Sequence, residues 1–303
     1  MPVSDQEQAP DFKAGYVTII GRPNVGKSTL LNQLVEHKVS IVTRKPQTTR
    51  WQLRGIKSKP AYQIVFTDTP GYQHTHKSGL NRFMNREVVN ALAHIDVVVF
   101  VVEALKWERE DSLVAELVQD VAAPLALVIN KLDLLKERAA LLPYIDSLKE
   151  KFAGAEIIPI SARRRRDVTR LEQKLACLLP TGEPLFPPDQ ISDKSARFLA
   201  AEYIREQVMT HLGDELPYRT TITIDQFKEE KSLLTLYATI WVERRSQRAI
   251  LIGANGKMLK SIGYDARVEL EKFFAKKVYL QTWVKVKRDW TEDAQAMQTL
   301  GYI

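Results

Sequence analysis

Apolar positions in the first 179 residues fall into short runs separated by amphipathic stretches. "YVTII", "AYQIVFTD", "DVVVFVVE", "PLALVINK" and "AEIIPIS" are rich in Val and Ile and too short for helices, so each predicts a strand. Between them, "STLLNQLVEH" and "NRFMNREVVNALAHI" repeat apolar residues near i, i+3 and i+4, the period of a helix with one buried face. The unbroken run Val97 to Val102 is the pattern of a parallel strand covered on both sides, and it is too short to span a bilayer. Strand and helix therefore alternate over residues 15–179. The expectation is an α/β domain with a mostly parallel sheet and helices on both faces.

The pattern breaks at "LPTGEPLFPPDQISD", where four prolines and a glycine predict a flexible linker over 180–193. From 194 to 303 the order changes to a helix, two alternating strands, a glycine-interrupted helical stretch and a last strand. That is an α+β module, expected to have a mostly antiparallel sheet. The first fourteen residues, "MPVSDQEQAPDFKA", are polar and are expected to be a disordered tail; they lack the apolar core of a secretory signal.

Two domains suit a chain of 303 residues. The single cysteine, Cys177, excludes a disulfide framework, fits a cytoplasmic protein, and is expected in a helix core. Five histidines without metal spacing suggest no metal site of their own. The net charge of +7 permits an anionic partner. Its distribution is more telling, since residues 244–288 hold 12 basic and 3 acidic side chains.

"GRPNVGKS" fits G-x-x-x-x-G-K-[ST] between a predicted strand and a predicted helix. Gly21, Arg22, Pro23, Asn24, Val25, Gly26, Lys27, Ser28 and Thr29 are thus expected to surround phosphates. Backbone N–H groups and the helix dipole face the anion, Lys27 adds charge, and the Ser28 hydroxyl is placed for Mg²⁺. "NKLD" selects the base. The Asp133 carboxylate matches the N1–H and N2–H₂ donors of guanine and would face a lone pair on adenine. Asn130 ties the loops together, the Lys131 stem covers the ring, and a backbone N–H of Ser161–Ala162 meets guanine O6. In "DTPG", Asp68 is expected to hold Mg²⁺ through water and the Gly71 N–H to sense the γ-phosphate, with Thr69 and Pro70 between them. In "PQTTR", a threonine completes the Mg²⁺ shell only with the γ-phosphate present; Thr49 is favoured and Thr48 is the alternative. The ligands expected are therefore GTP or GDP with Mg²⁺.

"ILIGANGKMLKSIG" contains a G-x-x-G turn, Gly253, Ala254, Asn255 and Gly256, followed by Lys257 and Lys260, with apolar flanks at helical spacing. It resembles a type II KH domain, whose glycine loop clamps single-stranded nucleic acid.

Taken together, "GRPNVGKSTLLN", "PQTTR", "DTPG", "NKLD" and "IGANGKMLKSIG" resemble the Era family of GTPases over nearly the whole chain. The resemblance implies a bacterial cytoplasmic GTPase that binds 16S ribosomal RNA near its 3′ end and acts in assembly of the small ribosomal subunit. It also implies peripheral association with the inner membrane, and a monomer is expected. Asn24 stands where related enzymes hold K⁺. With Lys27, Thr49 and Gly71 it completes the expected catalytic set. Tyr72 replaces the glutamine of Ras-like enzymes, so slow hydrolysis is expected. The competing reading is an RNA-binding adaptor that holds GTP as a structural ligand.

Overall fold

The computed structural model describes residues 12–302 apart from 44, 46, 73–77, 94, 138, 214 and 215. Most of the polar tail, Pro46 and Gln73 lie outside the described residues.

The first domain contains β1 (Lys13–Ile20), α1 (Lys27–Val35), β2 (Leu53–Lys59), β3 (Tyr62–Asp68), α2 (Gly79–Asn90), β4 (Val97–Glu103), α3 (Arg109–Gln119), β5 (Leu125–Asn130), α4 (Leu141–Lys151), β6 (Glu156–Pro159) and α5 (Arg165–Leu178). Its sheet has the order β2-β3-β1-β4-β5-β6, parallel except for the β2–β3 pair. Successive residues of β4 feed opposite cores: Val97, Val99 and Val101 join α1 and α5, while Val98, Phe100 and Val102 join α2, α3 and α4. Hence the unbroken apolar run. Winding reverses at β1, which lies between β3 and β4, and the crevice beyond the carboxyl ends of these strands is where such a sheet binds ligands.

Two expectations need correction here, and one strand lies where none was expected. β1 begins at Lys13, inside the supposed tail, because Lys13 pairs with Tyr62 and the Ala14 N–H bonds Pro180 O. β2 carries the polar sequence "LRGIKSK", which hides an edge strand. Cys177 is exposed, because α5 buries the face of Val168, Leu171 and Leu175 instead.

Residues 180–193 do not hang free between the domains. They cross the edge of the sheet, bound to it along their length. Both ends of the Gln63 amide hold the backbone of Leu185 and Phe186, Ile191 O accepts from the Ile56 N–H, and the Ser192 hydroxyl donates to Arg54 O.

The second domain contains α6 (Ala196–His211), β7 (Thr220–Glu229), β8 (Leu233–Val242), α7 (Arg245–Ile252), α8 (Lys257–Phe274), β9 (Lys277–Val286) and α9 (Ala294–Thr299). Its sheet, β7-β8-β9, is mixed rather than mostly antiparallel. β7 and β8 form a hairpin, but α7 and α8 cross over the sheet and return the chain so that β9 runs parallel to β8. Residues from α6, α7 and α8 share the core on one face with Leu234, Leu236, Ala238 and Ile240 of β8.

The domains meet across the segment between α1 and β2. Glu206 of α6 bonds Lys38 at 2.6 Å and the Val42 N–H at 2.9 Å, and the Arg205 guanidinium donates to Thr48 O at 2.5 Å. Beside them Trp51 stacks on Tyr302 with centroids 4.3 Å apart, within a cluster of Leu80, Phe83, Trp290 and Met297.

Candidate functional site

The loop between β1 and α1 closes tightly because glycines admit neighbouring chain. A Cβ on Gly21 would lie 2.4 Å from Val101 O, and one on Gly26, where φ is +103°, would lie 2.4 Å from Asn130 Nδ2. The Lys27 ammonium curls back over the loop and donates to the carbonyls of Gly21 and Arg22 at 2.8 and 2.9 Å. Burial lowers its pKa to about 8, against the opposing pull of Asp68. Asn24, Lys27, Ser28, Thr49, Gly71 and Asp133 all border one cleft of about 550 Å³, as do Pro23, Gly26, Thr29, Thr69, Asn130, Lys131 and Ala162.

At one wall of the cleft, three oxygen-bearing side chains from separate elements converge. Ser28 Oγ is 2.7 Å from Asp68 Oδ2 and 2.9 Å from Thr49 Oγ1, and Thr49 Oγ1 is 3.2 Å from Asp68 Oδ2. Thr48 turns the other way, with its hydroxyl on Thr43 and Lys45 O. Asp68 is fully buried, and burial pushes its carboxyl above the ordinary value despite hydroxyl donors and Lys27. Its Oδ1 is buried without a hydrogen-bond partner among the described residues. A carboxylate oxygen unpaired among protein donors, beside two hydroxyls, is a donor set suited to a hard divalent cation and its waters.

Asn130 joins the two loops at the other wall. Its Nδ2 donates to Val25 O at 2.8 Å and its Oδ1 accepts the Ala162 N–H at 2.9 Å. Asp133 is exposed and accepts the Ser161 hydroxyl at 2.6 Å, which holds its carboxyl below the ordinary value. The Ser161 N–H is taken by Asp167 at 2.8 Å. Both amides expected to meet a base are thus engaged inside the protein. Gly71 packs against the phosphate loop so closely that a Cβ would lie 2.6 Å from Pro23 Cγ. Tyr72 packs partly buried against the apolar core of α2, α3 and α4.

Arg22 needs correction. Its side chain leaves the cleft, with Nε on Asp111 at 2.9 Å and further bridges to Glu103 at 3.2 Å and Glu108 at 3.4 Å. Only its backbone belongs to the phosphate loop. Glu103 also binds Lys131 at 2.8 Å, so one carboxylate joins the phosphate loop to the base loop. The Val25 side chain is likewise behind the lining rather than in it, and Asp68 stands directly behind the lining hydroxyls of Ser28 and Thr49. Glu103 and Asp111 escaped sequence reading because nothing in their local pattern marks them, and the burial of Arg22 that points to them is a structural fact.

In the second domain, α7 ends at Gly253, whose φ is +72° and whose Cβ would lie 2.7 Å from Met258 Cβ. Asn255 and Gly256 are left-handed too, at φ +52° and +74°, and the space at Gly256 Cβ is open. The fold therefore needs glycine at 253, whereas at 256 the missing side chain leaves room for something outside the protein. Ala254, Asn255, Lys257 and Lys260 are exposed around it. Beside the turn, Gly256, Lys260 and Tyr264 face Leu280 and Thr282 of β9 across a groove of about 410 Å³. Of the four consecutive arginines, Arg163 borders the nucleotide cleft and Arg165 is paired with Glu36.

Residues 16–131 match a family described as 50S ribosome-binding GTPase, and residues 215–291 match the KH domain family. GTPase Era of Ectopseudomonas mendocina (strain ymp) is 48% identical over 295 residues, covering 97% of this chain and 99% of its own length. GTPase Era of Xylella fastidiosa (strain M12) is 47% identical over 295 residues, with the same coverage. A crystal structure of an Aquifex aeolicus Era variant bound to GDP and AlF4⁻ superposes with a TM-score of 0.90 at 38% identity, covering 96% of this chain and 99% of that one. The same values hold for Era in complex with MgGDPNP and nucleotides 1506–1542 of 16S ribosomal RNA.

Proposed function

The chain belongs to the Era family of GTPases, and on that premise we propose that it couples GTP hydrolysis to binding of 16S ribosomal RNA near its 3′ end during assembly of the small ribosomal subunit. The observation that carries the coupling is a pair of adjacent residues. Thr49 reaches Asp68 in the nucleotide cleft, while Arg50 donates to Thr220 O and Tyr302 in the second domain. A shift of this segment with the γ-phosphate is felt directly by the RNA-binding module.

In this reading the loop amides and Lys27 hold the phosphates, and Asp133 reads guanine. The Gly71 N–H meets the γ-phosphate. Ser28, Thr49 and Asp68 hold Mg²⁺, which neutralises phosphate oxygens. Asn24, left-handed at φ +63° and bordering the cleft, holds K⁺ against them. Tyr72 packs partly buried in the core, so turnover without a partner is slow and the water is positioned by another group. Gly253–Gly256, Lys257 and Lys260 clamp the RNA. The protein acts as a monomer in the cytoplasm, with peripheral association to the inner membrane. No helix among the described residues is long and apolar enough to cross a membrane.

The test is RNA affinity in the two nucleotide states. An oligonucleotide copying the 16S 3′ end binds more tightly with a non-hydrolysable GTP analogue than with GDP, and the same RNA accelerates hydrolysis. Equal affinity and no acceleration would leave GTP as a structural ligand. Crosslinking in cells followed by sequencing identifies the bound RNA, and faster turnover in K⁺ than in Na⁺, lost in Asn24→Ala, checks the monovalent site.

A further inference from the structure

The basic surplus of residues 244–288 extends beyond the glycine turn. Arg244 and Arg245 at the start of α7 and Arg288 just past β9 border a separate cavity of about 610 Å³, together with Ser246 and Val286. All three arginines are exposed, and among the described residues none forms an ion pair. Two acids also border this cavity. Glu243 is committed elsewhere: it is 1% exposed, and it accepts from Arg219 at 2.6 Å and from the Thr291 hydroxyl. Asp289 is the other, one carboxylate against three guanidinium groups. Three like charges around a concave surface repel one another unless an anion joins them, and the guanidinium fork suits phosphate oxygens in particular.

The cavity's position matters as much as its charge. Side chains alternate along β9, so Leu280, Thr282 and Val286 lie on one side of the strand. Leu280 and Thr282 line the groove beside the glycine turn, and Val286 lines the arginine cavity. Thr282 and Val286 are four residues apart, about 13 Å along a strand. Helix α7 connects the same two places, with the arginines at its start and Gly253 at its end, about 12 Å apart for eight residues. Val284, between them on that side, is buried in the core, so the connection runs over α7, whose two ends place the cavity and the glycine-turn groove about 12 Å apart, within the reach of a few nucleotides.

We infer that Arg244, Arg245 and Arg288 form a second RNA-backbone site, which takes the phosphates of nucleotides flanking those held at the glycine turn. The inference rests on the reading that Gly253–Gly256 binds RNA. A clamp of this kind holds about four nucleotides, and the arginine site lengthens the contact beyond them.

Two RNA probes separate the sites in the full chain. One is a tetranucleotide of 16S 3′-end sequence, and the other extends it by four nucleotides on each side. Arg245→Ala with Arg288→Ala lowers affinity for the longer RNA by tenfold or more and leaves the tetranucleotide within twofold. The log–log salt slope for the longer RNA falls in magnitude by about 0.7 for each phosphate contact removed. Arg245→Lys with Arg288→Lys restores the slope but only part of the affinity, since lysine keeps the charge and loses the fork. Probes extended on the 5′ or the 3′ side alone show which flank is held. Equal loss for short and long RNA, or no loss for the long one, overturns the site. So does an unchanged long-RNA affinity with loss of binding to phosphatidylglycerol vesicles, which assigns the arginines to a membrane surface. Failure of the unaltered protein to bind either RNA overturns the reading of the glycine turn itself.

Discussion

Arg50 and Tyr302, 252 positions apart in sequence, share a hydrogen bond of 2.8 Å between guanidinium and phenol oxygen. Arg50 is fully buried, and it also donates to Thr220 O at 2.7 Å and Tyr218 O at 3.0 Å. Burial lowers its pKa, so the phenol and carbonyl acceptors around it stand in for lost water. Tyr302→Phe removes one acceptor from a buried cation, and the expected cost is about 1.5–3 kcal/mol, read as a lower urea midpoint with unchanged slope. Because Thr49 precedes Arg50, the same variant narrows the difference in RNA affinity between the GTP-analogue and GDP states. A variant with wild-type midpoint and wild-type nucleotide dependence would show that this contact is incidental.

The two threonines of "QTTR" separate by geometry. The Thr49 hydroxyl is on Asp68 and Ser28, and the Thr48 hydroxyl is on Thr43 and Lys45. If Thr49 completes the Mg²⁺ shell only when a γ-phosphate is present, Thr49→Ala weakens GTP at least tenfold while GDP changes by less than threefold. Thr48→Ala changes both by less than threefold. Calorimetry with the two nucleotides in Mg²⁺ checks the pair, and a reversed ranking assigns the role to Thr48.

The two glycines of the 253–256 turn are expected to differ in role, the first structural and the second functional. Gly253→Ala brings a Cβ to 2.7 Å from Met258 Cβ at φ +72°, so both strain and a clash lower stability. Gly256→Ala meets open space at φ +74° and carries only left-handed strain, about 1–2 kcal/mol. RNA affinity, however, falls with the second substitution while the domain stays folded, because its methyl group stands where a phosphate approaches. Thermal melts beside RNA titrations distinguish the two.

Much of this was legible in the chain. β4 and β5 announced themselves by unbroken apolar runs, and the phosphate loop by two glycines and a lysine between a strand and a helix. The edge strand β2 did not, because a strand with one open side needs no apolar run and "LRGIKSK" reads as loop. The direction of β9 was also hidden; it depends on how α7 and α8 cross the sheet, not on the strand's own residues. At the site, Ser28, Asp68 and Thr49 could be named from motifs, with Thr49 favoured over Thr48 by its place beside Arg50; that the Thr49 hydroxyl is the one beside Asp68 is a matter of tertiary structure. Arg22 misled for a physical reason: position in the loop fixes its backbone, while Asp111, 89 residues away, takes its side chain.

Glu36, at the end of α1, gives a pH-dependent reading of how α1 is tied to its neighbours. It bonds Lys57 of β2 at 2.5 Å and also Arg165 of α5. The hydrogen bond from Lys57 leads in lowering its pKa to about 2. A carboxylate with a depressed folded pKa contributes stability that is present above the unfolded value near 4.5 and is lost as pH falls towards 2. Glu36→Gln therefore destabilises by about 1–2 kcal/mol at pH 7, between the worth of an exposed pair and the cost of stranding a buried lysine. The gap between the two melting curves is constant above pH 5 and closes between 4.5 and 2. A gap independent of pH down to 2 would show that the ion pairs contribute nothing.

The base-reading loop makes the sharpest chemical prediction. Asp133 is exposed and has one oxygen on the Ser161 hydroxyl at 2.6 Å, leaving its second oxygen and remaining lone pairs for a ligand. Guanine offers two adjacent donors at N1 and N2, whereas xanthine carries an accepting carbonyl at C2. Asp133→Asn replaces an acceptor by an amide that donates, so GTP affinity falls by about a hundredfold or more, the scale of a lost charge-assisted bond with a mismatched donor. Xanthosine triphosphate affinity rises in the same variant, which a merely damaged loop does not produce. Ser161→Ala is the companion test. It frees the carboxylate from its orienting hydroxyl without changing what the carboxylate accepts, so GTP weakens by roughly fivefold, about 1 kcal/mol, with no gain for xanthosine triphosphate. ATP stays weak throughout, because its N1 lone pair faces the carboxylate in the wild type and its missing 2-amino group leaves nothing to bind. Comparable calorimetric affinities for ATP and GTP in the wild type would remove Asp133 from the base-reading role.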